Sequence, residues 1–596
     1  MLRLGVLAAV FLLVAQAVVG ATFITNSTFD YPDVNPGDGV ALDENGRVTL
    51  RAAIEEANAL PGSDHISFGD PFSALDRTSS VRYGHAAVRA TLPITDDVVI
   101  DAGTMVIGFM DAVGSSEFRM FEVMPGVRLE LVSIYIQESY PLSQNMVADR
   151  GPAIYIHPGA SVVALACQIR MGIARVAGGA VYVDHGSFAW TSIREFGGTS
   201  EGDGGVIFND GGEVYLNGDG LLYGTANGRG GGIFNHGGVV WLRRGDFRHC
   251  AAEAEGGAVY SDGGTIVMAA TTIDDNSAAS GGGVYLTGGA VMEVTGSSFT
   301  NNTVSAQGGG IHVASGLLRA TQCTFGLCAA ELGGGGIFLA GGEATLLNCT
   351  LTLNEGGLAV MRDADCFLGN TIVAANGVLA GTDVSGRIAS LGHNLIGIQG
   401  GGAGYADTDL LGTEPSALLP GLEYTPRHEG RIESPRYIWS PTRESPAIDA
   451  GDSSLLASPE FVGGSCYDTR LSCCPRVRGL AVDIGAVEWQ EGEANAPCDG
   501  LHRADYDRDS RIGLSELLRI IQLYNAGAFQ CTAWSEDGYA PGTGDEACAA
   551  HSADYHPQDW HMDLNELLRV IQFFNMGGYV SCPDAHTEDG FCPLNR

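Results

Sequence analysis

Five oxygen donors near the C-terminus stand at offsets that suit one hard cation. With Asp505 as position 1, Asp507 and Asp509 fall at 3 and 5, Arg511 at 7 and Glu516 at 12. Carboxylates at 1, 3 and 5, a backbone carbonyl at 7 and a bidentate glutamate at 12 form the ligand order that wraps Ca2+. Ile512 would pin such a loop to a core. Ser510 occupies the position where the tight turn favours glycine, and a row of solvated acids capping a helix is the competing reading. A second copy, one residue longer, runs from Asp554 to Glu566, with Asp559 and Asp563 as further candidate ligands and His556 where an acid would be expected. For that copy, calcium-binding and calcium-free readings both stay open.

Helices are needed to hold these loops. LSELLRIIQLYN at 514–525 aligns with LNELLRVIQFFN at 564–575. Leu514, Leu517, Leu518, Ile521 and Tyr524 share one helical face, as do Leu564, Leu567, Leu568, Ile571 and Phe574. The spacing predicts two loop–helix units packed through these faces. Cys498 with Cys531 and Cys548 with Cys582 bracket the units at separations of 33 and 34 residues, which predicts a bridge within each pair. Pro497, Cys498, Asp499 and Gly500 argue against a helix entering the first loop. A loop followed by a single helix, present twice, resembles a dockerin, with a repeat of about 50 residues that is longer than a dockerin's. The resemblance implies docking onto a partner protein.

Upstream, Gly-Gly-aliphatic-aromatic blocks return every 25 to 27 residues: GGAVY at 178–182, GGVIF at 204–208, GGGIF at 230–234, GGAVY at 256–260, GGGVY at 281–285, GGGIH at 308–312 and GGGIF at 334–338. A second column, Leu221, Phe247, Ile273, Phe299, Phe325 and Leu351, repeats every 26. Two short apolar strands per period, with no helix between them, predict an all-β, parallel β-helix solenoid. The aliphatic column should point inward, and its neighbours Tyr155, Tyr182, Phe208, Phe234, Tyr260, Tyr285 and Phe338 outward. Cys323 and Cys349, one period apart, would stack within disulfide range, but inward ladders of small apolar residues favour two buried thiols.

These blocks, with Phe299-Thr300-Asn301-Asn302 as an FxxN, resemble the GGA(I/V/L) and FxxN repeats of chlamydial polymorphic outer-membrane proteins over about 200 residues. That resemblance implies a right-handed parallel β-helix. The segment TLRAAIEEANAL at 49–60 places Leu50, Ala53, Ile54 and Ala57 on one helical face and suits a cap over the first strands. Its surroundings, through Pro61-Gly62, Asp64, Ile66 and Phe68, resemble the CSLREAI-type opening of secreted bacterial β-helix proteins. GNTIVAANG (369–377), LGHNLIG (391–397), SPAIDAGD (445–452) and VDIGAVE (482–488) resemble in order the choice-of-anchor segment of the same group. The resemblance implies sorting or anchoring, while Asp449 and Asp483 read as turn carboxylates.

Arg3 ahead of the apolar run Leu4–Val19, then Val19-Gly20-Ala21, reads as a secretory signal peptide. No later run approaches the length of a spanning helix. The net charge is −38, and all 32 basic residues are arginine, a balance that excludes a nucleic-acid partner and suits divalent cations or a salty exterior. The expected layout is therefore a signal peptide (1–21), an N-terminal cap region with a short helix (22–97), the β-helix (98–400), a closing anchor-like segment (401–491) and the duplicated unit (492–596).

Three functions compete. The first is a secreted or cell-surface, non-catalytic β-helix presenting a surface to an extracellular glycan or protein, with Ca2+ stabilising its tail. The second is a polysaccharide lyase or glycoside hydrolase on acidic glycans, as many β-helices are. With no lysine, a lyase would have to draw on Arg194, Arg229, Arg243, Arg244 or Arg248. Asp274-Asp275 is the tempting hydrolase pair, yet it occupies the turn slot that Thr300-Asn301 fills one period later. The third is a dockerin-like assembly module carrying a β-helix. The sequence favours the first and assigns no catalytic residue; the outward aromatic column could stack sugars, or simply stabilise the solenoid.

Overall fold

The computed structural model describes residues 20–69, 85–103, 106–109, 119–137, 147–170, 172–191, 195–218, 221–377, 383–399, 401–413, 416–427, 436–457 and 481–489, and then 502, 504–505, 511–531, 539–544, 551, 553–554, 559–576, 578–581 and 591–593. They fall into two compact units: residues up to 463 with 479–487, and 464–478 with 488–596.

In the first unit each repeat forms one turn of a parallel solenoid. A representative turn runs Val259–Asp262, Thr265–Ala269, then the short pair Thr272–Asp274 and Ser277–Ala278, before Val284–Thr287 opens the next. Ile233 partners Val259, and Val259 partners Val284. Among the described residues three sheets result: a long-strand sheet of 14 strands, a corner sheet of 20 and a sheet of 13 that carries the aromatic column. The predicted two strands per period thus miss the longest, the Thr265–Ala269 type. Its signature is the alternation that buries Val214 and Leu216, Val240 and Leu242, and Ile266 and Met268 while their neighbours face out. Ile207, Ile233, Val259, Val284, Ile311 and Ile337 are fully buried as predicted. Each contributes roughly 1.5–3 kcal/mol of burial. In the second column Leu222, not Leu221, stands against Phe247, because that step is one residue shorter.

The corners are built from residues forced into the left-handed region. Ala270, Asp275, Asn301, Gln322 and Leu327 have φ of 53–55° or 57°. Each throws the next side chain inward, where it ties adjacent turns together. Asn276 Nδ2 donates to the Phe247 carbonyl (3.1 Å) and to Asn302 Oδ1 (2.9 Å), which also accepts from Asn276 N (3.2 Å). One such column runs Cys250, Asn276, Asn302, Cys328, Asn354, Asn376; another passes through Thr271, Ser297, Cys323, Cys349, Thr371 and Asn394. Cys323 and Cys349 are free thiols whose Sγ atoms donate to the carbonyls of Val294 (3.6 Å) and Ala320 (3.4 Å).

Helix α1 (Leu50–Ala59) covers the first strands, packing on Thr22–Thr25, Asp64–Phe68 and Leu92–Ile94. Thr49 caps it, its Oγ1 accepting from Ala52 N (3.0 Å). The buried Glu56 carboxylate accepts the amides of Gly37 (2.5 Å) and Gly39. The closing segment doubles back along the corner sheet. Its hairpin strand Arg436–Pro441 lies against Ser298–Thr300 and Thr324–Gly326. Farther along, Asp452 N donates to Asn370 Oδ1 (2.8 Å), Gly485 N to the Asn370 carbonyl (2.7 Å) and Ala486 N to Thr350 Oγ1 (3.0 Å).

In the second unit α2 (Leu514–Ala526) packs on α3 (Leu564–Met576). Its core is Ile520, Leu523, Phe529, Tyr539, Val570, Phe573 and Tyr579. The helices are rotated from the predicted facing: Leu517 and Leu567 are buried, but Leu514, Leu518, Leu564 and Leu568 are 63%, 55%, 57% and 50% exposed. Burial of Ile520 and Leu523, one step round from the predicted stripe, accounts for this. Among the described residues, no helix is long and apolar enough to cross a membrane.

Candidate functional site

The outward side of the long-strand sheet offers a regular, partly open surface. Its central row places Ala189, Tyr215, Trp241, Val267, Glu293 and Arg319 in register on successive turns, all half-buried. Parallel pairing sets neighbouring rows about 4.8 Å apart. Tyr215 and Trp241 are therefore adjacent rungs, with Glu213 and Asn217 on one strand and Arg243 on the next. An aromatic pair with polar groups at its margins is the arrangement that stacks the apolar faces of sugar rings while bonding their hydroxyls. In sequence the signal is Tyr215 and Trp241 one period apart, outside the Gly-Gly blocks that dominate the repeat.

The aromatic column singled out by sequence is more closely packed, with three of its rings buried in the stack. Tyr182, Phe208, Phe234, Tyr260 and Tyr285 stack with centroids 4.6–5.5 Å apart. Tyr182 and Phe234 are 3% and Tyr260 5% exposed, while Phe208 and Tyr285 are half-buried. Arginines close over them: Arg119 over Tyr155, Arg150 over Tyr182, and Arg229 over both Phe234 and Tyr260 at 4.9 Å. Arg229 is fixed in turn by Asp203 (2.8 Å) and donates to the Tyr260 hydroxyl (3.2 Å). Burial and an Asp210 partner at 2.9 Å push the Tyr182 phenol well up. His312 continues the stack between Tyr285 and Phe338, its Nδ1 3.3 Å from the Gln307 carbonyl, and burial lowers its pKa.

The acids weighed for catalysis are engaged in structure. Asp274 is buried, with Oδ1 accepting from Thr300 Oγ1 (2.6 Å) and Asn301 Nδ2 (2.8 Å) and Arg248 at 3.4 Å. Asp275 faces out and pairs with His249 at 2.8 Å. One acid points in and the other out, so they do not flank a common bond. Of the other arginines, Arg243 is exposed, Arg244 is a corner residue with φ of 54°, and Arg194 lies outside the described residues. Asp449 Oδ1 accepts from Ala481 N (3.2 Å) and Asp483 Oδ1 from Asp449 N (2.7 Å), the expected turn role. His393 Nδ1 lies 2.8 Å from the Ala450 carbonyl.

In the second unit the first and last acids of both loops are buried: Asp505, Glu516, Asp554 and Glu566. Asp505 Oδ2 accepts from the Tyr579 hydroxyl (2.6 Å), and Glu516 Oε2 from Gly513 N (2.6 Å). Asp554 accepts the amides of Asp559 (3.1 Å) and Trp560 (2.9 Å). Burial raises the Asp554 pKa to about 6, with the charges of Glu566 and Asp559 adding to the rise. Asp559 instead faces solvent and accepts from His561 N (3.1 Å). Asp563 and Glu566 exchange bonds as a helix cap: Asp563 Oδ1 accepts from Glu566 N (2.9 Å), and Glu566 Oε2 from Asp563 N (2.7 Å). Arg511 is exposed. Asp507, Asp509, Cys498, Cys548 and Cys582, and the side chain of Cys531, lie outside the described residues. Among the described residues no three acids, histidines or cysteines converge on one point. Buried carboxylates at the two ends of each loop, mutually repelling in the second, are hard donors that fit a divalent cation.

Residues 204–376 match the family described as right handed beta helix region. No curated protein and no solved structure matches the chain.

Proposed function

We propose that this is a non-catalytic, extracellular binding protein whose solenoid presents the Tyr215–Trp241 row to a glycan. The observation that carries this reading is the half-buried aromatic pair in register on successive strands of a parallel sheet face. The saturation of Asp274 and the Arg-covered aromatic column weigh against the lyase and hydrolase readings. The test is a glycan panel, neutral and acidic, probed with the full chain. Trp241→Ala should weaken retained glycans by roughly two- to tenfold, since one stacked ring contributes on the order of 0.5–1.5 kcal/mol. Release of reducing ends or unsaturated uronides would instead establish an enzyme.

In this reading Ca2+ orders the C-terminal unit, held by Asp505, Glu516, Asp554 and Glu566 together with the remaining loop oxygens. The ion would neutralise carboxylates that burial otherwise disfavours. Calorimetric titration of the full chain with Ca2+ should give heat and raise the melting temperature of the last transition. No heat and no shift on chelation would remove calcium from the account. A second reading is favoured by a specific observation. Leu514 and Leu518 on α2 and Leu564 and Leu568 on α3 leave equivalent apolar positions in solvent on both copies, as an assembly module docking to another protein would.

A further inference from the structure

The first strand of the solenoid, Thr22–Thr25, pairs in parallel with Asp64–Phe68, so the chain becomes part of the fold within a residue of Ala21. At that point lies a wholly buried acid. Asp64 Oδ1 accepts from Ala21 N at 2.5 Å, while Asp64 Oδ2, also buried, has no hydrogen-bond partner. Burial raises the Asp64 pKa, and the neighbouring charge of Asp96 adds to the rise. One neutral amide is a poor match for a dry carboxylate, which calls for a cation with several donors. Immediately upstream the backbone is pressed against the Ser63 carbonyl, so a side chain at position 20 would have no room.

We infer that the chain is cleaved between Gly20 and Ala21, and that the new α-ammonium of Ala21 pairs with Asp64 inside the first turn. This rests on the reading of residues 1–19 as an export signal and moves its boundary by one residue, from after Ala21 to after Gly20. A signal peptidase needs a small residue at the last position of a signal, and Gly20 supplies it. Water adds across the peptide bond: hydroxyl goes to the Gly20 carbonyl carbon, and the amine of Ala21 leaves and takes up a proton. The ammonium then supplies three donors where the amide supplied one. Gly20 and Ala21 are half-buried in the folded chain, so cleavage belongs to the unfolded chain during export.

The test is expression of the full chain in a Gram-negative host, with N-terminal sequencing and intact mass of the exported protein. Ala21 as first residue supports the inference. A mature chain beginning at Val18, Thr22 or elsewhere overturns it while leaving export standing. An uncleaved chain retained in the cytoplasm overturns the export reading and the inference with it. A second measurement separates the ion pair from a merely structural Asp64. In the chain starting at Ala21, Asp64→Asn should lower the melting temperature by several degrees. With the α-amine acetylated, the same substitution should be neutral or stabilising. Equal losses in both forms would refute the pairing.

Discussion

At the scale of single residues, the corner amides hold the turns in register. Asn302 joins three turns at once: its Nδ2 donates to the Ile273 carbonyl (2.9 Å) and contacts Cys328 Sγ (3.8 Å), and its Oδ1 receives both donors of Asn276. Asn302→Ala should strand those groups in a dry interior and cost about 2–4 kcal/mol, read as a lowered urea midpoint with an unchanged slope. A loss below about 0.5 kcal/mol would mean that water replaces the amide. The sequence showed Asn302 only as the end of one FxxN. Its column was hard to see because cysteine fills its places at Cys250 and Cys328, and threonine and serine fill the companion column at Thr271 and Ser297. What unites these residues is a short side chain ending in a polar or sulfur atom, and the left-handed residue before each, which no composition count reveals. Asp274 was easier: alignment with Thr300 placed it in a corner, and its bonds to Thr300 and Asn301 lie there.

At the scale of elements, α1 was legible because a helical stripe stands out against strands of period two, and Thr49 and Pro61 mark its limits. The long strands were missed because Gly-Gly blocks dominate the repeat while the alternation that buries Ile266 and Met268 is short. The faces of α2 and α3 came out one step rotated. Leu, Ile and Val nearly encircle both helices, so periodicity alone could not select which leucines face inward. The hairpin that doubles back has no periodic signal at all. It depends on Gly326, where an added methyl group would come within 2.1 Å of the Trp439 ring. Gly326→Ala should therefore lift that hairpin, with a red shift in tryptophan emission and faster proteolysis near residue 439, while the turns beneath keep their far-ultraviolet signal. Unchanged emission and proteolysis would show that Trp439 finds other room.

For the whole molecule, stacking of like turns makes stability nearly a sum over neighbours. Excision of Ile273–Ser298, one full lap, joins Thr272 to Phe299 and leaves the surviving strands of the three solenoid sheets parallel partners. The shortened chain should fold with the same spectrum per residue and a modestly lower melting temperature. Removing half as many residues from the same place should put apolar columns on the outside and yield aggregate. Equal behaviour of the two deletions would contradict the stacked-lap architecture. The same architecture has a bearing on how the molecule is made. Since each lap needs only its predecessor as a template, a chain delivered beginning first can lay down its coil in order of arrival. The returning hairpin arrives late and fastens laps already built, so completion is felt at mid-height rather than at the tip.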